Sequence, residues 1–547
     1  MSDPLQVSTI HCQPYRDQRP GTAGLRKKVE VFRQPHYLET FVEAILRTIA
    51  PPPGATLIVG GDGRYLNEHG IELITRMAAA HGIGKVVTGI GGLLSTPAAS
   101  LLIRRQRAAG GLLLTASHNP GGPSGDFGIK FNTPSGGQAP ASLSEAIFAT
   151  ACEIHDYRLA SLPPLDLHRP GRQRFGSFTL EVIDGPAVYA ELMESLFDFE
   201  RMAAWLRDGH RLRFDALHAV TGPYAEEIFC RRLGAPRESL LHAEPLPDFG
   251  GFHPDPNPVD AAHLIALAND AAAPDLIAAS DGDGDRNMIL GPGMLVHPCD
   301  SVAVMLANAQ QLPGYRDGFP GVARSMPTSR ALDAVARELG LPCYETPTGW
   351  RYFCNLLDAG LIGLCGEESF GTGAAHTREK DGLWAVLFWL NLLAATGRSI
   401  PDIMRRHWQR FGRHYYQRHD YHVDDAGRAE ALVAELRARL PALAGQDCAG
   451  SRVTLAEDFC YRDPVDGSES AQQGIRVFFA DDSRIVYRLS GTGTSGATLR
   501  VYLERHEPAA GRHDAEAGEQ LAAVAKRARL LGRIEHFTGL AEPSARI

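Results

Sequence analysis

Two short apolar runs, LLLT at 112–115 and DLIAAS at 275–280, open without a spacer into glycine-rich turns loaded with polar residues. The first turn carries Thr115, Ser117, His118 and Asn119; the second carries Asp281, Asp283 and Asp285 followed by Arg286. Apolar runs of this length bounded by Gly and Pro read as strands, and helix-length periodic segments such as 68–80 and 97–110 alternate with them. That alternation specifies α/β layers. The run at 55–60, ending in GGDGR, belongs to the first unit, and a third unit extends from about 301 through ARSMPTS and CYETPTGW to a helix near Trp384. The first two units share a plan, although the likeness is too faint to establish an internal repeat. From about 405 the character changes to a helix at 428–440, strands near 474–480, 484–489 and 498–504, and a helix near 515–530, which predicts a smaller α+β domain. A chain of 547 residues exceeds what one core holds, and the expected domains are 1–187, 188–300, 301–404 and 405–547.

Composition is that of an ordinary globular protein, 44% hydrophobic and 22% charged. With 55 basic against 64 acidic residues, a broad nucleic-acid-binding face is excluded, and an anionic substrate must be held by local basic residues. Nine cysteines scattered from Cys12 to Cys460 form no C-x-x-C pair, so neither a disulfide framework nor a zinc ribbon fits and a reducing, cytoplasmic setting is expected. No secretory signal is visible in MSDPLQVST. The longest apolar run, 383–395, contains Asn391 and is shorter than the ~20 residues a membrane span needs. It predicts a buried helix.

The chemistry concentrates in a few motifs. In LLLTASHNPGGPSGDFGIKFN a hydroxyl beside a histidine, with a lysine further on, suits a phosphoryl carrier at Ser117. Alternate residues of an extended segment face one side, so Asp281, Asp283 and Asp285 converge as the strand ends. Their mutual repulsion is relieved by a hard cation, with a solvated acidic turn as the alternative. An EF-hand is excluded, because its sixth and twelfth positions hold Arg286 and Pro292 here. Oxygen-only ligation favours magnesium over zinc. RLSGTGTSGATLR at 488–500 contains G-x-G-x-x-G, yet the following ATLRVYLE alternates like a strand, and no lysine follows Gly496. Dinucleotide and Walker loops therefore both fail. What remains is an anion clamp of small residues, hydroxyls and two flanking arginines, against a plain hairpin turn. GEESFG at 366–371 offers Glu367 and Ser369 to vicinal hydroxyls, HTREKDG offers Lys380, and GTAGLRKK at 21–28 offers Thr22 and Arg26. Together these parts suit phosphoryl transfer on a small phosphorylated polyol, and two anion sites favour a mutase over a kinase or phosphatase.

TASHNP, DGDGDR, GEESFG and RLSGTGTSGATLR occur in this order in the α-D-phosphohexomutase superfamily, which the chain resembles over nearly its whole length. GTAGLRKKV, VGGDGRY, ARSMPTS, ETPTGW and REKDGLWAV resemble its eukaryotic-type phosphoglucomutases. The resemblance implies three similar α/β domains with mixed sheets and a smaller C-terminal α+β domain around a central cleft. It implies Ser117 as phosphoserine, with Asp281, Asp283 and Asp285 holding Mg²⁺ together with an oxygen on Ser117. Glu367 and Ser369 would grip the sugar, while Arg488, Ser490, Gly491, Thr492, Thr494 and Arg500 would bind the phosphate that is not reacting. His118, Lys130, Arg286, Arg26, Thr22, Thr348, Gly349 and Lys380 would line the cleft, with His118 and Lys380 as catalytic candidates and Lys380 the candidate acid/base or charge stabiliser. The implied reaction interconverts glucose 1-phosphate and glucose 6-phosphate through glucose 1,6-bisphosphate. Another phosphohexose, or a non-catalytic scaffold role, are the alternatives. Ala23 and the Thr494–Ser495 pair depart from the pattern without removing a functional group. The expected partner is a small sugar phosphate, with no nucleic acid and no membrane, and the chain is expected to be a monomer, a weak homo-oligomer being the alternative.

Overall fold

The structure is a computed structural model that describes residues 5–490 and 496–547. Its first unit is built on a seven-stranded mixed sheet ordered Leu25–Lys28, Asp126–Asn132, Gly111–Leu114, Thr56–Gly61, Lys85–Gly89, Phe178–Ile183, Gly171–Phe175. The four strands that follow one another as Thr56–Gly61, Lys85–Gly89, Gly111–Leu114 and Asp126–Asn132 lie in the order second, first, third, fourth. The first pairs parallel with the second and third, and the third pairs antiparallel with the fourth.

The same arrangement recurs twice. In the second unit it is made by Leu212–Asp215, Leu240–Leu241, Leu276–Ser280 and Asn287–Gly291. In the third it is made by Val322–Ser325, Cys343–Thr346, Leu364–Gly366 and Thr372–Ala374. The repeat that sequence alone left unproven is therefore present in the topology. Its consequence is positional: Ser117, the aspartate triplet and GEESFG all occupy the turn between third and fourth strands of their units.

The buried strands are apolar on both faces, as Leu57, Ile58, Val59 and Leu276, Ile277, Ala278 illustrate, because helices cover the sheets on both sides. The second and third units share one continuous core that includes Phe214, Leu276, Val322, Leu332 and Trp389. At its centre is the helix Gly382–Thr396, apolar all round and buried from Gly382 to Leu393 as expected. Asp381 caps its start by accepting the Trp384 N–H, and Gly397 ends it at φ 64°. No single helix among the described residues is long and apolar enough to cross a membrane.

The last unit has a different plan. Seven strands, all antiparallel, run from Asp447–Cys448 through Ser451–Asp458, Ile475–Phe479, Ser483–Ser490, Ala497–Glu507 and Arg413–Val423 to Ala545–Arg546. Helices Ala426–Leu443 and Ala517–Gly532 pack on this sheet through Leu432, Leu436, Leu521 and Val524. The boundaries expected at 187/188, 300/301 and 404/405 each fall inside a helix: Gly185–Leu196, Pro298–Asn308 and Ile400–Phe411. All three helices are anchored in the shared core of the second and third units. We propose Asp184, His297 and Gly412 as boundaries instead, the residues that cap those helices.

Candidate active site

Ser117 is buried and holds φ 53°, a left-handed conformation in which a residue with a Cβ is strained. Several groups keep it there. Its N–H donates to Thr115 Oγ1 (2.7 Å), and its carbonyl accepts Arg64 Nη2 (2.8 Å). Arg64 is itself buried, gripped by Asp62 at 2.9 Å and lying over the Phe249 ring. The aspartate loop meets the same carbonyl: a Cβ on Gly282 would stand 2.3 Å from Ser117 O, so only glycine permits the approach. The Ser117 hydroxyl then donates to Asp281 Oδ2 at 2.9 Å, with His118 Nδ1 3.3 Å away.

The three aspartates converge as expected, with one oxygen from each lying within 4.8 Å of the others. Asp281 Oδ1 accepts the backbone N–H groups of Asp285 and Arg286, both at 2.9 Å. Asp283 Oδ2 accepts Thr96 Oγ1 (2.8 Å) and Lys130 Nζ (3.4 Å), and Asp285 Oδ2 pairs with Lys380 Nζ at 3.0 Å. Among the described residues, Asp283 Oδ1 and Asp285 Oδ1 are buried without a hydrogen-bond partner. Buried carboxylate oxygens without donors are costly unless a cation takes them, so this acidic triad can hold a metal ion.

The electrostatics follow from this crowding. Burial, and then the charges of Asp285 and Asp283, push the Asp281 carboxyl well above its ordinary range. Burial acts in the same direction on Asp283, but Lys130 and Lys380 outweigh it and hold that carboxyl low. Burial opposes the charge on both lysines, yet Glu379 and Asp283 raise Lys130 and Asp285 raises Lys380. Burial, reinforced by Arg286 and Arg26, drives His118 well below its ordinary value. The site therefore contains two firmly protonated ammonium groups and one neutral imidazole.

GEESFG closes onto this centre. The Glu367 N–H donates to Gly371 O (2.8 Å), Phe370 turns the chain at φ 67°, and Glu367 Oε1 accepts the Gly349 N–H (3.2 Å). Asn287 N–H to Phe370 O (2.9 Å) and a bridge between Arg286 and Gly371 staple the aspartate loop to this one. Arg286 also pairs with Asp255 at 3.0 Å. Ser369 is half-buried at the same turn, and Thr22 lies against Gly349. Among the described residues, buried Arg26 Nε, Arg286 Nε and Thr348 Oγ1 find no hydrogen-bond partner, leaving donors for a ligand.

Arg488 and Arg500 sit directly opposite each other on neighbouring strands of the last sheet. Arg488 donates to Tyr502 Oη (3.2 Å); burial opposes its charge, but Tyr502, Glu368 and Glu367 outweigh it and hold the guanidinium above its ordinary value. Among the described residues, the buried Arg500 Nε has no hydrogen-bond partner. Ser490 ends the strand beside them; Gly491, Thr492 and Thr494 lie outside the described residues.

Sequence reasoning missed several supports. Asp62 and Arg64 stand in VGGDGRY and Glu379 in REKDG, so their motifs were visible but not their tasks. Glu379 accepts Asn132 (2.9 Å) and Gln138 (3.0 Å) and neighbours Lys130. Thr96 and Asp255 carry no local signal, since each reaches the site from another strand–helix connection.

Family models cover almost all of the chain. Phosphoglucomutase/phosphomannomutase alpha/beta/alpha domains I, II and III match residues 17–158, 187–293 and 298–411, and the phosphoglucomutase-1 C-terminal domain matches 413–544. The phosphoglucomutase of Rhizobium radiobacter is 52% identical over 98% of this chain and 99% of its own length. Human phosphoglucomutase-1 is 46% identical, covering 99% of each chain. Among solved structures, the open form of Paramecium parafusin, described as a phosphoglucomutase, superposes with a TM-score of 0.92 at 43% identity, covering 99% of each chain. A putative phosphomannomutase from Thermus thermophilus shares the fold at 24% identity and a TM-score of 0.70, over 97% of this chain and 100% of that one. Four family domains in unbroken succession, and a fold shared end to end with a solved phosphoglucomutase, place this chain in the phosphoglucomutase/phosphomannomutase family, on its phosphoglucomutase branch.

Proposed function

We propose that the chain interconverts α-D-glucose 1-phosphate and α-D-glucose 6-phosphate by lending and reclaiming a phosphoryl group at Ser117. The observation that carries this is the 2.9 Å contact of the Ser117 hydroxyl with the acidic triad. Phospho-Ser117 gives its phosphoryl to the free sugar hydroxyl, the P–O bond to the serine breaking as the new ester forms. The resulting glucose 1,6-bisphosphate reorients, and its other phosphoryl returns to Ser117.

Asp281, Asp283, Asp285 and the phosphate on Ser117 would hold Mg²⁺, which when bound neutralises phosphoryl charge. Lys130 and Lys380, both firmly protonated, stabilise negative charge rather than act as bases. Neutral His118, 3.3 Å from Ser117 Oγ, is placed to accept the proton the serine hydroxyl loses when it is rephosphorylated. Glu367 and Ser369 orient sugar hydroxyls, with Thr22, Arg26, Arg286, Thr348 and Gly349 lining the cleft around them. Arg488 and Arg500, with the segment Ser490–Thr494, anchor the distal phosphate. The chain works as a monomer in the cytoplasm, a compartment that suits its nine free cysteines.

Three measurements test this. Intact-mass spectrometry before and after phosphatase treatment should reveal a phosphoryl group on the TASHNP peptide. Ser117→Ala should lose all turnover in a coupled assay for glucose 6-phosphate, and appreciable mutase rate in the pure variant would rule out the assigned role. Rates on mannose and N-acetylglucosamine phosphates should fall below that on glucose 1-phosphate.

A further inference from the structure

The strand Leu212–Asp215 ends in a carboxylate that the chemistry above does not use. Asp215 is fully buried, and two histidines approach its oxygens: His242 Nδ1 at 2.9 and 3.0 Å, and His263 Nε2 at 2.7 Å. Its other side-chain hydrogen bond comes from the Leu217 N–H at 2.8 Å. Among the described residues, no lysine or arginine forms an ion pair with it. The nearby group His253, Asp255 and Asp260 differs, because Arg286 already neutralises Asp255. Buried carboxylates are paired with a cation or bind a metal.

The donor set fits the second option. One ligand atom each from Asp215, His242 and His263 lies within 4.8 Å of the others. Zinc bonds to imidazole nitrogen and carboxylate oxygen of about 2.0–2.1 Å put tetrahedral ligands roughly 3.3 Å apart. The separations of 2.7–3.0 Å from Asp215 oxygens to the two histidine nitrogens need open by only a few tenths of an ångström, and the two imidazole nitrogens lie within 4.8 Å of each other. The histidine side chains are 33% and 37% exposed, which leaves a route for an ion and room for water at a fourth position. The backbone is held in unusual conformations around the cluster: Leu217, His218 and His242 have φ of 50°, 54° and 43°. Such strain persists where its surroundings over-determine it, and it gathers at functional sites. Phe252 packs 4.7 Å from the His242 ring and 6.0 Å from that of His263, which orients both imidazoles.

We propose that Asp215, His242 and His263 form a second metal site, selective for a divalent transition cation of the zinc class. Two imidazoles and one carboxylate suit such an ion, whereas the all-oxygen set at Asp281, Asp283 and Asp285 suits magnesium. The two sites are therefore separable by metal chemistry, and this one does not depend on the mutase assignment.

The full chain, freed of metal with a chelator and saturated with Mg²⁺ to occupy the aspartate triad, is equilibrated with Zn²⁺ and its bound zinc measured after dialysis. Wild type should retain about one zinc ion per chain, and the double variant His242→Gln, His263→Gln should lose it. Should the double variant fold poorly, His263→Gln alone should bind zinc about 10-fold more weakly or worse. With Cu²⁺ as probe, the wild-type electron paramagnetic resonance spectrum should carry nitrogen hyperfine structure that both variants alter. Failure of wild type to retain zinc overturns the site, as does equal retention by wild type and variants.

Discussion

A methyl group at residue 282 has nowhere to go. It would stand 2.3 Å from the Ser117 carbonyl, and that carbonyl is already fixed by Arg64. Gly282→Ala must therefore push the Ser117 turn and the aspartate turn apart, at a cost of about 1–3 kcal/mol in stability. Because misplacement of a reacting group by about 1 Å costs on the order of 100-fold in rate, kcat should fall far more than the thermal midpoint. Unchanged kcat in steady-state assays would mean that the close approach has no bearing on the chemistry. Asp283 lends itself to a different test, since Thr96 and Lys130 occupy one of its oxygens and the other is bare. Asp283→Asn keeps the shape and removes the charge. It should raise the Mg²⁺ concentration for half-maximal activity by about 10-fold or more, and an unaltered metal titration would contradict its place among the ligands.

Elements rather than residues explain what the sequence could and could not disclose. Periodic or uniformly apolar segments were legible: Asn67–Ala80, Gly382–Thr396, Ala517–Gly532 and the strand Leu276–Ser280 fall within a few residues of where pattern put them. The threefold recurrence of strand order was not, because it resides in pairing, and the three functional turns share a position but no residue pattern. Domain limits were blurred for a related reason, since a helix buried in two units' shared core carries no mark of which unit it closes. Capping chemistry joins site to scaffold at Asp381. One oxygen accepts the Trp384 N–H (3.1 Å) and the Tyr189 hydroxyl (2.6 Å); the other meets His376 Nε2 (2.9 Å). Asp381→Ala should uncap the central helix and leave a buried hydroxyl unpaired, costing about 2–4 kcal/mol. Because residue 381 adjoins Lys380, kcat should fall with the unfolding temperature, and retention of both would refute the coupling.

At the scale of the molecule, the last sheet is docked on the third unit. Part of that contact is apolar, through Cys299, Met326, Tyr416, Val486 and Tyr502. The rest is ionic. Across the two units, Arg330 meets Glu504 at 3.2 Å and Glu345 meets Arg476 and Arg484; within the last unit Arg484 (2.7 Å) and His414 (2.8 Å) also hold Glu504, and within the third Arg324 holds Glu345. Burial acts to raise both carboxyls, but the arginines prevail. They hold Glu504 well below its ordinary range and Glu345 at about 2, against an ordinary 4.5. A carboxyl depressed in the folded state contributes stability that is complete above its unfolded pKa and is lost as pH falls through the folded one. At about 1.4 kcal/mol per unit, Glu345 supplies on the order of 3 kcal/mol, surrendered between pH 4.5 and about 2. Acid should therefore loosen the last unit from the third, visible in solution scattering as a rise in radius of gyration as the pH drops below 4.5. Glu345→Gln removes the titrating group, so its stability at neutral pH should fall while its acid limb becomes shallower than that of wild type. Superimposable acid limbs for the two proteins would show that this ion cluster does not govern closure, leaving the apolar patch alone to hold the cleft together.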